Sequence, residues 1–499
     1  MPFTFVEIEQ NKSRTIWLLA TIVISFYFLT GYLILIAFHL LSGNLFNPLH
    51  PAGSLLPTAE QTVYMLLAAL AIGLGHWFFS TRNLVEKIVQ LIGAQYLDPE
   101  DAYHQYFRNI VDEIVIATGS RPLEAMVIPM AGMEAFALAD FQGRAVIGVT
   151  EGVLARLSRS QVEAVVAHEA AHILSGDCLD VTVTCSLGEL YDELFEKIRL
   201  GMRHFNRAFI LGVFLFVIVG MARGLSMLLR ALISREREYR ADALAVRMTR
   251  DPQSLAEALK IIGRSWRGMG LPGEMLQSIF IVNPRADRLD ESEGAWADLF
   301  SSHPPVRKRV GILLDMLHMS ETALEDRLQD ARRASPVVKT TQLSAAMTAV
   351  TGTAEAGSSG CPCCGKPLHK IVYEGAPIQA CPACAGTLVD KRVIARILAR
   401  QDLEYSPQTV RLCRQILSDA KKHFPLKHPG KYQSWVLACP RCGQKMHREF
   451  FQYSYPVEVD RCIYCQTVWF DNQELEILQY LYEHNRELFD SEKSDDDHS

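Results

Sequence analysis

Three groups of residues in this 499-residue chain have the side chains and spacing to hold metal ions. The first is His168-Glu169-Ala170-Ala171-His172. On a helix, positions i and i+4 share a face, so both imidazoles reach one ion. A catalytic zinc takes three protein ligands and keeps one position open. Glu169, next to the first histidine, is then placed to act as general base for water attacking a carbonyl carbon. The third ligand is expected in Ser234-Arg235-Glu236-Arg237-Glu238-Tyr239-Arg240-Ala241-Asp242, where Glu238 and Asp242 are again i and i+4. Glu238 is the expected ligand. Asp242 is expected to accept a hydrogen bond from a ligating histidine and fix its tautomer. Glu236 is a rival ligand, but it points about 200° away around the helix. The competing reading is a charged face that only meets water.

The other two groups are cysteines. Eight of the twelve fall in four C-x-x-C pairs after residue 360. Cys361, Cys364, Cys381 and Cys384 make one set; Cys439, Cys442, Cys462 and Cys465 make the second. Each pair forms a knuckle that presents thiolates to a tetrahedral zinc. The sets repeat one another: Gly365 and Gly443 follow the first knuckles, and Asp390 and Asp471 each stand six residues after the second. Thr387 and Thr467 recur close to the same place. The pattern resembles tandem zinc ribbons of the transcription-factor type, each holding a structural zinc. Cys363 is an alternative to Cys364. Cys178, Cys185 and Cys413 lack metal spacing and are expected in cores. Cysteines spent on metal point to a reducing compartment.

Elements must bring these groups together. Ser158 with Gln161 is a capping-box signal, so a helix is expected to about Leu174, with Ser175-Gly176-Asp177 as its stop. Upstream, Ala135–Asp140 and Ala145–Val149 flank Gln142-Gly143-Arg144, a hairpin pattern. Asp251-Pro252 reads as the start of another helix. Residues from about Ser335 to Gly360 turn to Ala, Thr, Ser and Gly, and 351–360 reads as a flexible linker. The acidic end, from about 486 to 499, reads as disordered.

Two runs are long and uncharged. Thr15 to Leu41 holds 27 positions without a charged side chain, and a second run covers Thr62 to Ser80. About 20 apolar residues cross a bilayer. Lys12 and Arg14 precede the first run, and Arg82 and Lys87 follow the second, which puts both flanks in the cytoplasm. The alternative is two buried helices of a soluble core. A shorter apolar stretch, about 207–233, reads as a re-entrant or buried hairpin. Two short crossings would serve equally, because the histidines and Glu238 must stay on one side.

At this point the sequence resembles the HtpX-type membrane zinc metalloproteases, gluzincins related to the CAAX-processing enzymes. The resemblance covers about residues 60 to 315. It rests on His168-Glu169-Ala170-Ala171-His172 with Ser175-Gly176-Asp177, on Glu238-Tyr239-Arg240-Ala241-Asp242, and on Ser302-His303-Pro304-Pro305 with Arg309. It implies cleavage of peptide bonds at or near a membrane, possession of a catalytic zinc, and a role for His303 in stabilising the oxyanion or leaving group, supported by Arg309. One position departs from the family pattern: its Asn-Ala-Phe-Ala segment reads Glu134-Ala135-Phe136-Ala137 here.

The expected architecture is a mainly α, membrane-embedded, zincin-like α+β metalloprotease domain with a small β-hairpin, followed by two small β zinc ribbons. The expected boundaries are a transmembrane region at 1–92, the protease at 93–334, a linker at 335–360, the ribbons at 361–485 and the tail at 486–499. The expected partners are protein or peptide substrates and a lipid bilayer, with a protein partner or self-assembly through the ribbons. Hydrophobic residues make up 49% of the chain, high for a wholly aqueous enzyme. The net charge of -6 disfavours nucleic acid. Nine basic residues between Arg411 and Arg448 face one acid, Asp419. They read as a solvated face, or as a contact for anionic lipid or an acidic partner. The leading function is an endopeptidase, which the resemblance implies acts on membrane or membrane-proximal proteins, in the sense of quality control. The alternatives are a catalytically silent membrane scaffold that recruits partners through the ribbons, and a ribbon-based transcription regulator, which the apolar runs disfavour.

Overall fold

The computed structural model describes residues 59–179, 181–182, 235–264, 279–281, 304–334, 338–339, 356–399, 403–422, 436–452 and 455–484, with scattered positions between 21 and 32. The chain divides into two compact units. Residues 1–127, 134–149 and 159–319 form the first; 128–133, 150–158 and 320–499 form the second. This division differs from the linear boundaries expected above, because two short inner segments are grouped with the C-terminal part.

In chain order the elements begin with α1 (Ala59–Thr81), α2 (Leu84–Ile92), β1 (Gln95–Tyr96), α3 (Ala102–Thr118), β2 (Glu124–Ile128), β3 (Ala135–Ala139) and β4 (Ala145–Thr150). They continue with α4 (Glu151–Arg156), α5 (Arg159–Ser175), α6 (Arg235–Thr249), α7 (Pro252–Arg264) and α8 (Val306–Met316). The four-stranded sheet runs β1-β2-β4-β3, which leaves β3 on an edge. The β3–β4 hairpin closes through Asp140, whose N–H donates to Arg144 O, and Gly143 takes the positive φ of 85° that the turn needs. Gly148 of β4 must lack a side chain, since a Cβ there would stand 2.1 Å from the Phe136 ring.

Helix α5 is the centre of the unit. It packs on α3, α6, α7 and β3. Its alanines at 164, 167, 170 and 171 are buried, and so are Val162, Val165 and Val166. Gly176, at φ 78°, ends it as the Ser-Gly-Asp motif requires. Asp251 caps α7 by accepting the Ser254 N–H at 3.0 Å, with Pro252 at the first helical position. Gln161 donates its amide to Glu257 of α7 at 2.9 Å.

Among the described residues no helix is long and apolar enough to cross a membrane. Helix α1 nevertheless carries Leu66, Leu67, Ile72, Leu74, Phe78 and Phe79 exposed. Of the expected span 15–41, the described positions, which lie between Thr21 and Tyr32, are helical. The apolar stretch 207–233, His303, Cys185 and the acidic tail lie outside the described residues.

The second unit continues with α9 (Glu321–Ala334), β5 (Val338–Lys339), β6 (Ala356–Gly360), β7 (Pro367–Tyr373), β8 (Ala376–Ala380), β9 (Thr387–Asp390) and α10 (Lys391–Ala399). It ends with β10 (Leu403–Glu404), α11 (Pro407–Lys422), β11 (His447–Gln452), β12 (Tyr455–Cys462), β13 (Thr467–Phe470) and α12 (Glu474–Glu483). The sequence repeat becomes a structural one. Each half is a knuckle, a hairpin, a second knuckle, a third strand and a helix. The third strands, β9 and β13, pair antiparallel, with Thr387 opposite Phe470 and Asp390 opposite Thr467. One seven-stranded sheet results, ordered β11-β12-β13-β9-β8-β7-β6. Trp469 is fully buried at the join, and a Cβ on Gly386 would lie 2.3 Å from its ring. Strand β6 falls where composition predicts flexible linker. The open edge of β7 accepts it, with Ala356 opposite His369 and Gly360 opposite Pro367. Part of the basic stretch is neutralised: Arg441 meets Asp390 at 3.3 Å and Arg448 meets Asp460 at 2.7 Å.

Candidate active site and cysteine clusters

Helices α5 and α6 pack together and bring their two i, i+4 pairs face to face. His168 Nε2 and His172 Nε2 stand 3.2 Å apart. Glu238 Oε2 lies 3.6 Å from His168 Nε2, and Glu238 Oε1 lies 3.5 Å from His172 Nε2. Zinc bonds of about 2.0–2.1 Å in a tetrahedron separate neighbouring ligand atoms by about 3.3 Å. Each imidazole thus faces one Glu238 oxygen near that spacing, with one donor atom from each residue all within 4.8 Å of one another, and their chemistry, two imidazoles and a carboxylate, suits zinc.

Asp242, one helical turn beyond Glu238, accepts from His168 Nδ1 at 2.9 Å. That bond leaves the His168 Nε2 lone pair aimed at the ligand point. Arg309 of α8 grips Asp242 with two bonds, Nε to Oδ2 at 2.9 Å and Nη2 to Oδ1 at 2.7 Å. Its Nη1 donates to the Ile281 carbonyl at 2.9 Å and lies 3.4 Å from Glu238. His168, Asp242 and Arg309 are all buried, the last only 1% exposed. Asp177 of the Ser-Gly-Asp motif meets Arg240 of α6 at 3.3 Å and lines the cavity beside the site.

Burial shapes the titration of the metal-free site. It lowers the His172 pKa to about 3. It also works to lower that of His168, but the bonds to Asp242 and Glu238 outweigh it and raise the value to about 9. Burial raises the Glu169 carboxyl to about 8. Among the described residues nothing hydrogen-bonds Glu169 Oε1, which is buried beside the ligand point. The adjoining cavity is lined by Glu169, His172 and Glu238 on one side, and by Ala137 of β3, Val181 and Ile279–Ile281 on others.

The segment 279–281 had no signal in the sequence. Phe280 bridges Phe136 in antiparallel register, and the Ile281 N–H donates to Ala135 O at 3.0 Å. Arg309 could be found from the family motif, but its grip on Asp242 joins residues 67 positions apart, which no local pattern reveals.

Both cysteine sets converge. The Sγ atoms of Cys361, Cys364, Cys381 and Cys384 lie within 4.8 Å of one another, and so do those of Cys439, Cys442, Cys462 and Cys465. Tetrahedral zinc with bonds of about 2.3 Å sets S···S edges of about 3.8 Å. Pairs across the knuckles stand at 3.4–3.5 Å, close to that spacing. Gly365, Gly443, Ala385 and Gln466 occupy equivalent knuckle positions and all have positive φ. Cys363 turns away from its set, its Sγ 3.5 Å from Asp471 Oδ1. Cys178 and Cys413 are buried.

Residues 102–317 match Peptidase family M48, and residues 438–479 match the TFIIB-type transcription factor zinc-finger family. The Protease HtpX homolog of Dictyoglomus thermophilum is 30% identical over 315 residues, which cover 62% of this chain and 94% of the homolog. That of Thermoanaerobacter pseudethanolicus is 30% identical over 260 residues, covering 49% of this chain and 82% of the homolog. The crystal structure of S. mikatae Ste24p aligns at a TM-score of 0.28 and 16% identity, over 51% of this chain and 65% of that one. With nearly the whole length of an HtpX homolog aligned and the histidines and glutamate gathered as a zinc site requires, this chain belongs to the HtpX-type zinc metalloproteases of peptidase family M48.

Proposed function

We propose that the chain is a membrane-bound endopeptidase that hydrolyses peptide bonds of membrane or membrane-proximal proteins, in protein quality control. In this reading His168, His172 and Glu238 hold one catalytic zinc, and the cysteine sets hold two structural ones. The observation that carries it is the convergence of three donors within 4.8 Å of one another beside a buried Glu169. Bound zinc would supply the Lewis acidity that polarises the scissile carbonyl. Glu169 takes the proton of the attacking water at a carboxylate oxygen and passes it to the leaving amine. Asp242 holds the His168 tautomer, and Arg309 holds Asp242. His303 is assigned to the oxyanion or leaving group on the family motif alone. The exposed apolar side chains of α1 and the uncharged runs support membrane attachment, with the site and the ribbons facing the cytoplasm.

The test is cleavage of an unfolded protein by the full chain in detergent, wild type beside Glu169→Gln. Loss of about 10²-fold or more is expected, along with loss in a chelator. Equal rates in both proteins would remove Glu169 as the base. No cleavage by either, with zinc at His168, would remove the endopeptidase reading.

A further inference from the structure

The ribbon unit is not built from C-terminal sequence alone. It takes in residues 128–133 and 150–158, which lie inside the M48 match. Each segment runs directly into an element of the active site. Residue 133 leads into Glu134 and β3, whose Ala137 lines the site cavity. Residue 158 leads into α5, which carries His168, Glu169 and His172.

Within the unit these segments are held firmly. Ala131 is buried in the same core as Ile378, Val389, Ile394, Phe470 and Leu478, and Ala155 packs against that core. The Gly152 N–H donates to Met130 O at 3.0 Å, tying the two segments together. A Cβ at Gly152 would stand 2.2 Å from Ala131 O, so the two backbones are in direct contact. Arg396 of α10 then reaches Glu151 of α4 with two bonds, Nε to Oε2 at 2.8 Å and Nη2 to Oε1 at 3.1 Å. Both residues are 1% exposed.

A buried ion pair gives little net stability over an apolar pair of the same volume; what it adds is fixed geometry. A planar guanidinium facing a carboxylate in two bonds sets the angle and register of its helix as alkyl packing cannot. We infer that the ribbons are a positioning device for the catalytic site, and that Arg396, acting through Glu151, is the residue that sets it. By clamping 128–133 and 150–158, the ribbon unit fixes where β3 and α5 begin. Helices transmit such a displacement as rigid rods, and a misplacement of about 1 Å can cost about 10²-fold in rate. The inference rests on the endopeptidase reading above. It also opposes an inhibitory role: loosening the ribbons lowers activity.

The experiment uses the full chain in detergent, with its zinc content counted, below the unfolding temperature of every variant. Wild type, Arg396→Met, Arg396→Lys and the double variant Glu151→Leu/Arg396→Met are compared. The single Arg396→Met leaves Glu151 buried and unpaired. It is expected to speed amide exchange across 128–133 and 150–158, and to lower kcat/KM per zinc-loaded molecule by about ten- to hundredfold. The double variant removes the unpaired charge and is expected to recover stability, but an apolar pair sets no register, so its kcat/KM per zinc-loaded molecule is expected to stay about tenfold below wild type; full recovery would show that the pair's geometry is not what positions the site. Arg396→Lys is expected to fall between, and it carries the test if Arg396→Met does not fold. A purely structural pair would lower the unfolding temperature and leave kcat/KM per loaded molecule unchanged; that result overturns the inference, as does a rise in activity. If wild type cleaves nothing, the endopeptidase reading fails on its own. The inference is then read from zinc affinity at His168, which loosening of 150–158 should weaken about tenfold; an unchanged affinity overturns it.

Discussion

Asp242→Asn tests whether the carboxylate behind His168 matters to the metal site. Asp242 accepts three donors: His168 Nδ1 and Arg309 Nη2 at Oδ1, and Arg309 Nε at Oδ2. Asparagine has the same shape but one acceptor oxygen. With that oxygen at the Oδ1 position, the amide NH2 faces the Arg309 Nε–H, so one bond is lost and two donors oppose each other. Arg309 also loses its nearest counter-charge while fully buried. Breaking a buried pair costs about 3–5 kcal/mol. Glu238 remains 3.4 Å from Arg309 and offsets part of that, which favours the lower end, about 3 kcal/mol. For a unit of this size the unfolding temperature should drop by about 5 °C. Zinc affinity should fall separately, by about 10–100-fold, because a neutral amide oxygen supports the basicity of His168 less than a carboxylate does and Arg309 draws Glu238 away from the ligand point. Two assays separate the effects: thermal unfolding of the metal-free protein, and zinc competition with a chromophoric chelator on the folded protein. Zinc affinity within twofold of wild type would refute the role of the carboxylate at the metal site, whatever happens to stability. Loss of stability with intact affinity would leave Asp242 as a partner of Arg309 only.

Zinc binding should release protons. In the metal-free site His168 and Glu169 titrate near 9 and 8, so both carry a proton at pH 7, while His172 is already neutral. Zinc needs a neutral His168, and its charge ionises Glu169, so affinity should fall by about ten- to hundredfold per pH unit below pH 7; chelator competition that is flat in pH would contradict this. Cys363→Ser should leave the zinc count unchanged, whereas Cys364→Ser should lose one zinc by elemental analysis, because Cys364 and not Cys363 lies in the tetrad. Gly386→Ala should destabilise the joined ribbons by about 1–3 kcal/mol, since its Cβ meets the buried Trp469 ring at 2.3 Å; zinc release to an indicator at the same rate as wild type would contradict that.

The gathering of His168, His172 and Glu238 was legible because its logic is local. His168 and His172 on one helix, and Glu238 and Asp242 on another, each announce themselves through the i, i+4 spacing, and the C-x-x-C knuckles are local as well. The capped start of α7 and the β3–β4 hairpin follow from Asp251-Pro252 and Gly143 for the same reason. What escaped was long-range. Arg309 and Asp242 are 67 residues apart, and Glu151 and Arg396 are 245 apart. The Ile281 carbonyl that Arg309 holds is a backbone group and leaves no trace in residue type. Strand β6 escaped because Ala-Gly-Ser-Ser-Gly has no strand propensity; it is ordered by the open edge of β7, a property of another segment.

The two long-range pairs have a shared physical cause in helix α5. An ordinary surface helix is oriented by its own amphipathicity, since rotation would expose apolar side chains and bury polar ones. α5 lacks that constraint. It is buried on nearly every side, and from Val162 to Ala171 its side chains are mostly alanine and valine. Such a surface packs closely but smoothly, and small rotations or slides exchange one alanine contact for another at little cost. A zinc site tolerates no such freedom, because its ligand atoms must stay at tetrahedral spacing. Directional groups therefore have to supply what apolar packing does not. The Arg309–Asp242–His168 chain fixes the rotation of α5 at its metal-binding turn. The Arg396–Glu151 pair fixes α4, which ends two residues before α5 begins. Arg309 and Arg396 are among the largest fully buried side chains of the described residues. Neither is explained by stability, since an apolar residue would serve as well there; both are explained by the need to hold a smooth, buried helix in one register.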